Sequence, residues 1–143
     1  MDLEIIAKRK DNSEEIMELC YARKFWGLWY EFFDCPQVYV DPYEKYLTRE
    51  SWQRFINIME ENIELVRTAN SFYDLEENGH KLTSEQQDLI DRYEDWYGDT
   101  FEHTPILGYD FDAASLIRWY ENKDEVWKYL YNNDYHVIII NSF

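Results

Sequence analysis

Between Arg49 and Tyr73 the apolar and aromatic residues Trp52, Phe55, Ile56, Met59, Ile63, Val66 and Tyr73 follow one another at spacings of 3, 1, 3, 4, 3 and 7. That keeps them on one face at about 3.6 residues per turn, the signature of an amphipathic helix. Glu50, Gln53, Arg54, Asn57, Glu60, Glu61 and Glu64 fall mostly off the stripe and face water. Thr48 is placed to cap the start, with Ser51 as a second choice. Unbroken, such a helix is about 37 Å long at 1.5 Å per residue. It crosses a small domain, so the rest of the chain must pack on it.

The chain of 143 residues contains four glycines and three prolines, which leaves no composition for a linker, and no internal repeat is present. A single domain over residues 1–143 follows, long enough to bury a core without metal or disulfide. Hydrophobic residues make up 45% and aromatic residues 19%, too much for a disordered chain despite the charge. Cys20 and Cys35 lack metal-ligand or redox spacing and read as buried thiols. The start Met1-Asp2-Leu3-Glu4 is not a secretory signal, and the longest apolar run, Val137 to Ile140, is far too short to span a bilayer. The expected location is the cytoplasm.

In chain order, Leu3 to Lys10 reads as a strand. Ser13 reads as the cap of a helix running to about Phe33, with Ile16, Leu19, Cys20, Arg23, Trp26 and Tyr30 on one stripe and Phe25, Leu28, Trp29, Phe32 and Phe33 widening it. Asp34-Cys35-Pro36 stops it, and a short extended piece at residues 38–40 leads to the central helix. Asn78-Gly79 signals a turn. Thr83 or Ser84 caps a third helix, with Gln86 and Gln87 at the matching capping-box positions. It runs to about Tyr97 and stops at Gly98, with Leu89, Ile90, Tyr93, Trp96 and Tyr97 toward the core. Residues 99–112 read as an irregular loop suited to recognition. Asp112 caps a fourth helical segment over Ala113 to Glu121, continued from Asp124 through Tyr131. Tyr135 to Phe143, centred on Val137-Ile138-Ile139-Ile140, reads as a strand covered on both faces. Paired with Leu3 to Lys10, it makes an α+β domain of about four helices on a small sheet formed by the N- and C-terminal strands.

Chemistry is sparse. His80, His103 and His136 lie far apart, without a helix-borne ligand pair, and no metal or cofactor is expected. Asp110, Asp112 and Glu121 occupy the first, third and twelfth positions of a calcium loop. Ala114 and Ser115 stand where a ligand and the turn glycine belong. No nucleophile elbow, P-loop or dinucleotide fingerprint occurs. The expectation is a non-enzyme; a hidden site would combine acids with His103 in the 99–112 loop.

Acid distribution is more informative. Thirty acids against fourteen bases give a net charge of −16, which repels nucleic acid and anionic lipid and favours a basic partner. Between Asp74 and Glu102 ten acids face only Lys81 and Arg92, so 29 residues carry −8, half the total. Glu85, Asp88, Asp91 and Asp95 recur at 3, 3 and 4, an acidic face opposite the apolar stripe, and Asp99 continues it. Its carboxylates repeat about every 5 Å, near the phosphate spacing of a nucleic-acid strand, so the face suits a groove built for a phosphate backbone. Trp96 and Tyr97 are the candidate ring anchors beside it. A solvated helix face is the plain alternative.

Along Tyr21-Ala22-Arg23-Lys24-Phe25-Trp26-Gly27-Leu28-Trp29-Tyr30-Glu31-Phe32-Phe33 the chain resembles a group of small acidic proteins encoded by bacteriophages and prophages. Tyr46-Leu47-Thr48 leading into Ser51-Trp52, and Tyr109-Asp110-Phe111-Asp112 with the terminal segment ending Asn141-Ser142-Phe143, extend the resemblance to about half the chain. The acidic 74–102 segment lies outside it, and it carries over no functional residue. It implies a phage origin, where small acidic proteins often block host defence nucleases. The leading expectation is a non-catalytic inhibitor of a basic host or defence protein of the anti-CRISPR or anti-restriction type, with nucleic-acid mimicry as one route. An immunity protein neutralising a bacterial toxin is the second, an enzyme with an unrecognised acid/His site the third, and homo-oligomerisation through Trp26 to Phe33 the fourth.

Overall fold

The computed structural model describes residues 2–11, 13–23, 32–101 and 113–142. Two chain ends built of β-branched and alternating residues pair as expected. β1 (Asp2–Arg9) lies antiparallel to β5 (Tyr135–Ser142), with Ile5 opposite Ile139 and Ala7 opposite Val137. The sheet is larger than two strands. β2 (Ile16–Arg23), β3 (Gln37–Val38) and β4 (Asp41–Tyr46) extend it to the order β2-β1-β5-β4-β3, and every pairing is antiparallel.

The helix expected from Ser13 is therefore replaced by a strand over Ile16–Arg23, while residues 24–31 of that expectation lie outside the described residues. A register shift explains the misreading. Ile5 pairs with Cys20 but Ile6 with Glu18, so Leu19 is an extra residue at a bulge, and a bulge breaks the period-2 alternation of a strand. Leu19 and Cys20 then sit next to each other on the apolar side, as two residues of a helical stripe would. The 38–40 piece is the Tyr39-Val40 turn of the β3–β4 hairpin, in which the Tyr43 N–H donates to Asp41 Oδ1 at 2.9 Å.

Four α-helices follow among the described residues, as the α+β reading requires: α1 (Arg49–Glu77), α2 (Ser84–Phe101), α3 (Ala113–Glu121) and α4 (Lys123–Leu130). At 29 residues, α1 is about 43 Å long. Thr48 caps it, its hydroxyl accepting the Ser51 N–H at 3.1 Å. α2 starts with the expected capping box: Gln86 N–H donates to Thr83 Oγ1 at 3.1 Å and Thr83 N–H to Gln86 Oε1 at 3.0 Å. α2 does not stop at Gly98 but continues to Phe101. The ring of Phe101 lies 5.0 Å from Tyr97 in the core, and burying that last turn outweighs the roughly 1 kcal/mol that a helical glycine costs.

Leu3, Ile5, Ala7, Cys20, Ala22, Val137 and Ile139 belong to the same core cluster as the buried faces of the helices. Its centre is aromatic: Phe55 has ring centroids of Trp52, Trp119, Phe33 and Phe32 at 5.2, 5.8, 6.0 and 6.3 Å. On the opposite sheet face Ile6 and its register partner Ile138 are also buried, so Val137, Ile138 and Ile139 of the four-residue run are sequestered, while Ile140 is half-buried. Both cysteines are free and buried. Among the described residues no helix is long and apolar enough to cross a membrane.

Candidate functional site

α2 presents two faces because its apolar residues repeat with the helical period. Ile90, Tyr93, Tyr97 and Phe101 are buried, and at about 100° per residue they share one arc. Glu85, Asp88, Asp91, Asp95 and Asp99 are all exposed and fall on an arc of about 120° on the far side, running about 21 Å along the axis. The structure thus brings the five expected carboxylates together. Gln87 Nε2 donates to Asp91 Oδ1 at 3.0 Å. The ion pairs among the described residues, Arg9–Asp11, Arg67–Glu121 and Lys128–Glu125, include none of the five. Arg92 is exposed on the same helix and forms none of these pairs either.

The two expected ring anchors separate. Trp96 is half-buried, with its indole 5.7 Å from the Phe101 ring and 5.8 Å from Tyr93. Tyr97 is fully buried, so the anchor role expected of it is corrected: its position, four residues after Tyr93 and four before Phe101, turns it into the core. Sequence periodicity placed it in the stripe, and an inward ring cannot also meet a partner. The acidic helix is fixed to α1 by Tyr73, whose hydroxyl donates to Glu94 Oε1 at 2.7 Å. Burial and then that carboxylate raise the tyrosine pKa, which keeps it a neutral donor.

Among the described residues the cysteine and histidine groups form no acid–base pair with a nucleophile. The Cys20 thiol is pushed up to about 11 by burial, against a hydrogen bond from Asn122 Nδ2 at 3.5 Å. It lines a hollow of 370 Å³ with Arg118 and Glu121. His136 lies 5.0 Å from the Tyr46 ring, and burial followed by Lys10 and Lys8 lowers its pKa. His80 is exposed after α1, and His103 with most of the 99–112 loop lies outside the described residues. No group of three or more His, Cys, Asp or Glu side chains that could hold a metal occurs among the described residues.

One acid pair went unnoticed in the sequence because its members lie on different strands. Glu4 of β1 and Glu18 of β2 line a hollow of 430 Å³, and burial, then the charge of Glu18, raises the Glu4 pKa. Since the folded value exceeds the unfolded one, protonation of Glu4 favours the fold. That contribution is complete below about pH 4.5 and is lost as pH rises through the raised value. Glu4→Gln is therefore expected to raise the melting temperature more at pH 7 than at pH 4. Equal shifts at the two pH values would refute this.

Against protein-family profiles, curated proteins and solved structures, the chain finds no match.

Proposed function

We propose that this chain is a non-catalytic binding protein whose α2 acid face docks on a basic protein that handles nucleic acid, and that it inhibits that protein by occupying its phosphate-binding surface. The observation that carries this reading is the run of five exposed carboxylates on one arc of α2, none of them in the ion pairs named above. Like charges three and four residues apart weaken a helix by a few tenths of a kcal/mol each, and the buried opposite face offsets that loss. A cationic groove would supply the missing partners. Complementary charge of this kind speeds encounter and sets register, and half-buried Trp96 at the border of the face is the ring that adds adhesion.

The resemblance to small acidic phage proteins supports the same reading, with a restriction or CRISPR-type nuclease of a bacterial host as the partner. The test is capture from bacterial lysate on the immobilised chain at low salt, followed by elution at high salt, which screens exposed charges over about 3 Å at 1 M. Recovery of a basic nucleic-acid enzyme that elutes with salt and loses activity on adding the chain is the expected result. Retention of nothing at either salt would overturn the reading.

A further inference from the structure

We propose that the groove between the first turns of α1 and helix α4 binds a nucleoside phosphate. The groove is open to solvent, has a volume of 480 Å³ and is lined by Arg49, Gln53, Arg54, Asn57, Trp127 and Tyr131, with Glu50 as its one acid. That volume lies within the roughly 300–1,000 Å³ of small-molecule sites.

Two arginines of a strongly acidic protein line this groove against a single carboxylate, that of Glu50, and neither is in the ion pairs named above. Arg49 donates from Nε to the Leu130 carbonyl at 3.1 Å, and its guanidinium carbon sits 4.2 Å from the centre of the Tyr131 ring. Its terminal N–H groups have no acceptor among the described residues. Arg54 sits 4.1 Å above the Phe32 ring. A guanidinium fixed by ring and backbone, with its outer donors free, is prepared for two-point contact with phosphate. The first N–H groups of α1, on the same turn as Arg49, add positive potential.

The remaining residues select a flat ligand rather than a bare anion. Tyr131 is 63% exposed and stacks on Trp127 at 5.5 Å with 30° between planes, so Arg49, Tyr131 and Trp127 form one continuous pile. A base extends such a pile by stacking on it. Gln53 Nε2 donates to Asn57 Oδ1 at 2.8 Å, which leaves the Gln53 carbonyl and the Asn57 amino group as an adjacent acceptor and donor for a base edge. A carboxylate-bearing peptide would use the arginines but neither the pile nor the amide pair. The overall charge of −16 opposes a long polyanion, and the occupant is a single nucleotide.

The inference is independent of the α2 reading and is tested without a protein partner. The whole chain is titrated with ATP and with GTP by calorimetry and tryptophan fluorescence, beside adenosine, tripolyphosphate and hexaglutamate. Saturable binding of at least one nucleotide, tighter than that of the three comparison compounds, is expected. Arg49→Ala and Arg54→Ala should each weaken it about tenfold or more with an unchanged circular dichroism spectrum, and Trp127→Phe should keep binding while losing most of the quench. No saturation at millimolar nucleotide would overturn the proposal, as would unchanged affinity in the double arginine variant. Tripolyphosphate or hexaglutamate binding as tightly as the nucleotide would overturn it as well.

Discussion

Phe55→Ala is expected to cost about 3–5 kcal/mol of folding stability, the range for removing a fully enclosed aromatic ring. Phe55 is completely buried and is the ring on which Trp52, Trp119, Phe32 and Phe33 converge. These come from α1, from α3 and from the chain after β2, so the cavity would open between layers and no single neighbour can fill it. A domain of this size has about 5–15 kcal/mol in total, and the loss should lower the melting temperature by about 10–17 °C. Urea unfolding is the direct measurement: the midpoint should fall with little change in slope. Tyr39→Ala at the fully exposed hairpin tip is the control and should stay within about 0.5 kcal/mol of the parent. A Phe55→Ala loss below about 1 kcal/mol would mean that the aromatic centre is not what holds sheet and helices together.

Changing Asp88, Asp91 and Asp95 together to Asn should weaken capture of the basic partner by about tenfold or more and flatten its dependence on salt. The same change should leave the fold intact or slightly firmer. Each side chain is exposed, the Gln87 contact to position 91 survives in the amide, and relieving repulsion between turns is worth about 0.2–0.5 kcal/mol per pair. Affinity and melting temperature therefore move in opposite directions, which separates a binding face from a structural one. Full affinity in the triple variant would refute the proposed site. Trp96→Ala would then be the informative comparison, since the indole borders the face without carrying charge.

The elements that could be read directly are those whose periodicity and caps agree. α1 shows a helical stripe and a threonine cap, α2 a capping box before its stripe, and the terminal strands consist of alternating or β-branched runs. The acid arc was legible for the same reason, because 3.6-residue spacing needs no knowledge of neighbours. The nucleotide groove was not read. Arg49, Gln53 and Asn57 share a face of α1, but the ring that holds Arg49 comes from the end of α4, far along the chain. The signal available was that α1's outward side holds Arg49 and Arg54 against only Glu50 before its acids begin at Glu60.

Local sequence determined the α+β class, the long central helix, the strand character of the chain's two ends and the exposure of five carboxylates along one helical arc. Each depends on spacing within a single segment. Tertiary structure alone decided that Ile16–Arg23 is a strand, that α2 runs through Gly98, that Tyr97 faces inward, and that Arg49 meets a stacked tryptophan and tyrosine. The physical reason is common to all four. Strand pairing with a bulge, burial of a last helical turn and ring stacking between helices each draw their free energy from a surface supplied by another part of the chain, and no local pattern records which surface that is.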